Sequence, residues 1–387
     1  MLDAIRQFGR GLLAAAARPV SRSRTGAGIA LLPYRGYGSR EEMFLIGRVF
    51  RQRQGARRDR TRGFPGLLRN LLRRITRHPF PGMAVAARFG SATERAITDA
   101  DGYFRIHLRL AAPPPEHTCW HDVALTLEEA QLTATAQVFV PPPQCRFVVI
   151  SDIDDTVVET GVANKVLMLW RLFVADAKSR TAFPGVAALY RGLHAGRSGK
   201  ELNPMLYVSR APWGTYEVLD EFFHLHAIPV GPILFLREWG VTWTSPVPRK
   251  AETHKEELIN HMLALYGSLP FVLIGDSGQH DPEIYARIVA RHPGRVLTVL
   301  IRDVSRHPAR THAIEELATR VTEAGSSLLL AADSIAMARH ASALGLVSDD
   351  VADLTAAERR DEAPADPERS SSTVVGGGAV KAPDVLS

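Results

Sequence analysis

Cysteine is almost missing from this chain: Cys119 and Cys145 are the two in 387 residues. That is too few for a disulfide framework, and no CxxC or Cys/His spacing offers a zinc site. A reducing cytoplasm fits such usage best. Also missing is any uncharged apolar run of the ~18 residues that a bilayer span requires, the nearest stretches being 327–338 and 162–170. Membrane contact is therefore expected to be peripheral at most. No internal repeat is visible. Lysine is absent from the first 80 residues, where 18 Arg face four acids (Asp3, Glu41, Glu42, Asp59). That segment carries +14, so in a chain of net charge +6 the remainder carries −8. The split predicts a basic patch for nucleic acid, anionic lipid or an acidic partner.

What is present reads as an ordinary globular composition, 45% hydrophobic and 23% charged, at a length expected to hold two or three domains. Residues 1–25 place Leu2, Ile5, Phe8, Leu12 and Leu13 at mostly helical spacing among arginines, a basic amphipathic segment. A secretory signal is disfavoured there, because the apolar run is short and lies behind Asp3, Arg6 and Arg10. Residues 26–143 predict a small antiparallel β-domain, with short strands within 29–50 and at 83–89, 103–110, 122–127 and 132–140, and a turn at 99–102. An Arg-rich insertion at 51–78 ends in a second basic amphipathic helix carrying Leu67, Leu68, Leu71, Leu72 and Ile75. Pro141, Pro142 and Pro143 read as a stiff linker.

From 144 to 346 the texture changes. Apolar strands at 146–151, 205–209, 233–236, 271–275 and 296–301 alternate with helical stretches at 213–226, 254–266 and 282–291. This α/β pattern predicts a doubly wound parallel sheet with ligands at the carboxyl ends of its strands. Residues 347–387, rich in Asp, Glu, Pro, Ser and Gly, read as a disordered tail.

The strand ends carry the chemistry. After the first come Asp152, Asp154 and Asp155 with Thr156, a crowding of carboxylates that asks for a cationic partner, a hard divalent ion being the natural one. After the second come Ser209 and Arg210 at the start of a helix, suited to an anion. After the fourth comes GDSGQHD with Asp276 and Asp281, of which Asp281, followed by Pro282 and Glu283, also reads as a helix N-cap. Lys250 and Lys255 stand upstream of that strand, either able to bring an ammonium to the same rim.

This order resembles the haloacid-dehalogenase-like phosphohydrolases over about 146–305. In finer detail SDIDDTV, YVSRAPWGTYEVLDEFF, LREWG, RKAETHKEELI and FVLIGDSGQHDPEIY resemble the phosphatidate phosphatases of the actin-patch-associated type and their bacterial relatives. The resemblance implies Asp152 as the nucleophile of an aspartyl-phosphate and Asp154 as general acid and then base. It implies Mg²⁺ held by Asp152, Asp154 (through its carbonyl) and Asp276, with Asp281 in the ion's water shell or supporting it. Ser209, Thr156, Arg210 and a lysine, Lys255 in preference to Lys250, are implied as phosphoryl-binding groups. Asp155 is read as structural, and 164–174 as a packing helix in preference to a cap.

The expected function is thus Mg²⁺-dependent hydrolysis of phosphatidate or a related lipid phosphate, by a cytoplasmic enzyme in peripheral contact with anionic membranes. The alternatives are a phosphatase of soluble phosphomonoesters or phosphoproteins, and a nucleic-acid-binding protein. The last is not expected, because Phe64 is the one aromatic among the arginines of 51–77.

Overall fold

The computed structural model describes residues 23–24, 28–51, 77–153, 185–210, 213–236, 251–305 and 307–362. Among these, residues 23–139 build a nine-stranded sheet: β1 (Ser23–Arg24), β2 (Ile29–Pro33), β3 (Gly36–Gly38), β4 (Glu42–Arg51), β5 (Ala84–Phe89), β6 (Ala92–Ile97), β7 (Tyr103–Arg109), β8 (Trp120–Leu127) and β9 (Leu132–Phe139). Alternating burial along YFRIHLR and WHDVALTL turns one side of each strand onto a core of Val49, Phe104, Ile106, Val123, Leu125 and Val138. Two features depart from expectation. The β3–β9 pair runs parallel, which the long stretch of chain between them permits. Strand β6 has no apolar alternation, because Glu94 and Arg95 sit exposed on an edge strand, where charge discourages further pairing.

The second sheet has six parallel strands, β10 (Val148–Asp152), β11 (Met205–Ser209), β12 (Ile233–Phe235), β13 (Phe271–Asp276), β14 (Val296–Arg302) and β15 (Leu328–Ala331), in the order β12-β11-β10-β13-β14-β15. Helices α1 (Val186–Ala195), α2 (Tyr216–Leu225), α3 (Ala251–Leu265), α4 (Asp281–Arg291), α5 (Pro308–Glu323) and α6 (Ser334–Ala343) flank it, with α7 (Val351–Glu362) following. Successive strand residues face opposite ways. Val149, Tyr207, Val272 and Leu300 pack with α1, α2 and α6, whereas Ile150, Leu206, Leu273 and Val299 pack with α3, α4 and α5. Both faces are covered, as the near-continuous apolar strands require. The chain builds outward from β10 to β12, then returns to β13 on the other side. The strand order reverses between β10 and β13, and that is where an open α/β sheet leaves a crevice for a ligand.

Two expectations are corrected at the carboxyl end. The apolar run after 327 divides into β15 and α6, adding a sixth strand. The tail expected from 347 is helical over Val351–Glu362, because α7 has an apolar and ionic partner in α1. Val351 and Thr355 are buried, and Arg191 pairs with Glu358. Gly185, at φ 76°, lets α7 approach closely: a Cβ there would lie 2.6 Å from the Thr355 carbonyl oxygen. Among the described residues no helix is long and apolar enough to cross a membrane. The segments 1–22, 52–76, 154–184 and 363–387, with both basic amphipathic stretches and the 164–174 helix, lie outside the described residues.

Candidate active site

Strands β10 and β13 pair in parallel with Ser151 opposite Ile274, so Asp152 comes level with Gly275 and Asp276 follows one residue further along the neighbouring strand. On the other flank Asp152 is opposite Val208, and the Ile153 amide donates to the Val208 carbonyl at 3.0 Å. Ser209, the last residue of β11 and 1% exposed, is thereby brought to the same rim, with Arg210 next to it. Three of the sequence-predicted strand ends thus converge because the sheet is parallel, not because they are close in sequence.

Lys255, on the second turn of α3, enters this rim from the face of the sheet. It has no exposed surface, and its Nζ lies 2.5 Å from Asp152 Oδ2 and 2.5 Å from Asp281 Oδ1. Burial alone would pull the ammonium down, but the charges of Asp152 and Asp281 outweigh it and hold the pKa well above the ordinary value. The Tyr285 ring lies 5.2 Å from Nζ and its hydroxyl donates to the Ile274 carbonyl. Of the two candidate lysines, Lys255 is therefore the one placed on Asp152, and Lys250 lies outside the described residues.

Asp281 is not the helix cap its sequence suggested. It is the first residue of α4, the cap position falls on His280 with no side-chain bond, and its carboxylate turns inward. One oxygen meets Lys255 and the other accepts from the Asp276 amide at 3.4 Å. Burial pushes this carboxyl up against the opposing pull of Lys255. The approach is close enough to require glycine at 275, where a Cβ would stand 2.2 Å from Asp281 Oδ2.

Asp276 is held by its own loop, Oδ1 accepting from the amides of Gly278 (2.7 Å) and Gln279 (3.0 Å). Burial and the like charge of Asp152 raise its pKa, while those amides and Lys255 oppose the rise. A residue that sequence reasoning missed closes this loop. Arg310, on the first turn of α5, donates to the carbonyls of Ser277 (2.8 Å) and Gln279 (2.5 Å) and pairs with Glu283. Nothing in its local sequence separates it from a surface helical arginine.

Asp154, Asp155 and Thr156 lie outside the described residues. Among the described residues no group of three or more His, Cys, Asp or Glu side chains is arranged to hold a metal ion. Asp152 and Asp276 supply two hard oxygen donors on neighbouring strands. Asp152, Asp276 and Asp281 gather about the Lys255 ammonium, and the hard oxygens of the first two suit a divalent cation.

Residues 147–303 match the family model described as Phosphatidate phosphatase APP1, catalytic domain. The chain is 32% identical over 154 residues to phosphatidate phosphatase APP1 of Saccharomyces cerevisiae, and 30% identical over 157 residues to an uncharacterised protein of Schizosaccharomyces pombe. Each match takes in 40% of this chain and 25% of the relative, so the chain spans about a quarter of the length of these curated relatives. Among solved structures, a ferredoxin-NADP+ reductase from Plasmodium falciparum aligns at 10% identity and a TM-score of 0.19, over 73% of this chain and 93% of that one, and carries no argument about fold. Asp152, Ser209, Lys255, Asp276 and Asp281 all fall inside the stretch, 147–303, that is similar to the catalytic domain described by that family model.

Proposed function

We propose that this chain is a Mg²⁺-dependent phosphatase that hydrolyses phosphatidate, or a related lipid phosphomonoester, to diacylglycerol and phosphate on a haloacid-dehalogenase-like scaffold. The observation that carries the reading is the buried Lys255 bridging Asp152 and Asp281 beside Asp276, at the point where the strand order reverses.

Asp152 attacks phosphorus and the bond to the glycerol oxygen breaks, leaving an aspartyl-phosphate. Lys255 orients the attacking carboxylate and offsets charge as the phosphoryl group arrives. Asp154 gives its proton to the departing alkoxide, then takes one from the water that releases phosphate from Asp152. Ser209, Arg210 and Thr156 bind the phosphoryl oxygens. Asp152, Asp276 and the Asp154 carbonyl would hold Mg²⁺, whose charge screens nucleophile and phosphoryl group from one another. Asp281, with both oxygens on protein donors, supports the site by fixing Lys255 and the Asp276 backbone. The Arg-rich segments before residue 80 hold the enzyme peripherally on anionic membranes.

Phosphate release from phosphatidate micelles, glycerol phosphate and a phosphoserine peptide, each with Mg²⁺ or with EDTA, tests the reading. Release should be greatest with phosphatidate, require Mg²⁺, and fall at least about 10³-fold in Asp152→Asn. Unchanged release in EDTA removes the metal. More than a tenth of the rate in Asp152→Asn removes the nucleophile, and preference for a soluble ester moves the substrate.

A further inference from the structure

Tyr34 and Arg35 form the corner between β2 and β3, well outside the matched catalytic stretch. The corner is itself rigid. Pro33 ends β2, the Tyr34 amide donates to the Ile46 carbonyl at 2.9 Å, and Gly36 is packed so tightly that a Cβ would meet the Phe44 carbonyl oxygen at 2.3 Å. It packs on the 3₁₀ turn and helix α2 beside the parallel sheet. The Tyr34 ring stacks on Tyr216 (centroids 4.0 Å apart) and on Trp213 (5.2 Å, planes 9° apart). The Arg35 amide donates to the Tyr216 hydroxyl at 2.8 Å. The Arg35 guanidinium, its side chain 1% exposed, pairs with Asp220 one turn further along α2.

Trp213 and Tyr216 follow Ser209 by four and seven residues in sequence and lie in the 3₁₀ turn and the first turn of α2. Ser209 is held in the sheet by its pairing with Phe235 and by the Leu236 amide, which donates to its carbonyl at 2.8 Å, so what the rings bear on is the entry of α2 and Arg210, three residues before Trp213. A stack of three aromatic rings with a buried ion pair behind it defines that entry more tightly than apolar contact alone, because both orientation and register are specified.

Resting on the phosphatase reading above, we infer that the Tyr34–Arg35 corner is a positioning element for the phosphoryl-binding end of the site. The antiparallel sheet is thereby part of the working enzyme and not an appendage to it. A displacement of Arg210 should weaken capture of the phosphoryl group more than the attack by Asp152, which hangs on a different strand.

The test uses the full chain. Tyr34→Leu keeps apolar bulk but removes the stack. Arg35→Met combined with Asp220→Leu removes both buried charges together, so neither is left unpaired. Tyr216→Phe is the mild variant, deleting the hydroxyl that accepts from Arg35 while keeping every ring. Tyr34→Phe is the conservative control. In the first two, KM for phosphatidate in mixed micelles and the inhibition constant of inorganic phosphate should rise together by about tenfold or more, with kcat changed much less. Tyr216→Phe should move both in the same direction by a smaller factor, and Tyr34→Phe should match wild type. Thermal melts run alongside. Unchanged KM and phosphate inhibition across the Leu, paired and Tyr216 variants, whether or not the melting temperature falls, overturns the inference while leaving the phosphatase reading intact. A wild-type chain that releases no phosphate overturns that reading, and the inference with it.

Discussion

An ammonium with no exposed surface is stable only while its counter-charges stay in place, and the converse holds for Asp152 and Asp281 around Lys255. Lys255→Met nearly preserves volume but leaves two carboxylates facing each other without a cation. The expected loss is about 3 kcal/mol of stability, the scale for breaking a buried pair by removing one partner. Phosphate release should fall by at least about 10²-fold, because a fixed charge at the reacting centre is gone. Urea denaturation and a phosphate assay at matched folded fraction separate the two effects, and near-normal values in both would exclude the bridging role. The residues of this cluster differ in how readily sequence discloses them. Asp152, Ser209 and Asp276 stand directly after apolar strands, so the parallel-sheet rule locates them. Lys255 follows from the same rule only with a choice left open against Lys250. Asp281 misleads, because Asp-Pro-Glu is an excellent helix start and the inward turn of its carboxylate depends on a partner 26 residues away.

The loop from Asp276 to Asp281 joins β13 to α4, and its shape is set from outside by α5. With Ser277 and Gln279 carbonyls both bound to Arg310, the amides of Gly278 and Gln279 are aimed at Asp276. Arg310→Leu should let the loop open, raising the Mg²⁺ concentration for half-maximal activity about tenfold and speeding protease cleavage of the folded chain within 277–280. An unchanged Mg²⁺ requirement would reduce Arg310 to a surface ion pair with Glu283. At the other end of the sheet, deleting 363–387 should leave the melting temperature unchanged, whereas deleting 351–387 removes α7 and uncovers Gly185, the cap of α1, and Gly192 on it. A drop of several degrees only in the longer deletion is the expected result, and equal melting of both would deny α7 a structural part. Strands β10 to β14 were legible because buried parallel strands read as apolar runs, and α2, α3 and α4 were read with them, whereas β15, α1, α5 and α6 were not. Nor was α7, since its sequence, VADLTAAERRDE, is polar enough to pass for tail and acquires its buried face from packing on α1, beside Gly185 and Gly192, and on α6. β6 escaped notice for the same reason in reverse, an edge strand needing no apolar side.

At the scale of the molecule, the charge of the first 80 residues divides into two populations. Arg35 and Arg48 are buried, and Arg77 pairs with Glu217 at 2.5 Å while its guanidinium sits 4.3 Å over the Phe50 ring. Arg51 lies over Phe80 and Arg40 pairs with Glu116. These arginines serve the antiparallel sheet and its contact with α2, a use that net charge could not disclose because it counts a buried arginine and a solvated one alike. The expectation of a basic surface is thus left to the remaining arginines in the sequence, chiefly those of 1–22 and 52–76, segments that lie outside the described residues and include the apolar-spaced stretches around Leu12 and Leu71. Near an anionic surface each contributes on the order of 1 kcal/mol, and screening over ~10 Å at 0.1 M salt should weaken the sum. Co-sedimentation with vesicles of neutral lipid, with or without added phosphatidate, separates the populations. Binding should favour the phosphatidate vesicles, decline with salt, and fall when residues 1–22 are deleted and Arg69, Arg73 and Arg74 are replaced by Gln. Arg77→Gln should instead lower the melting temperature and leave vesicle binding unchanged, because its partner is Glu217 within the same chain. Equal binding to both vesicle types, or retention of binding after the deletion and triple replacement, would sink the membrane role of the arginine-rich front.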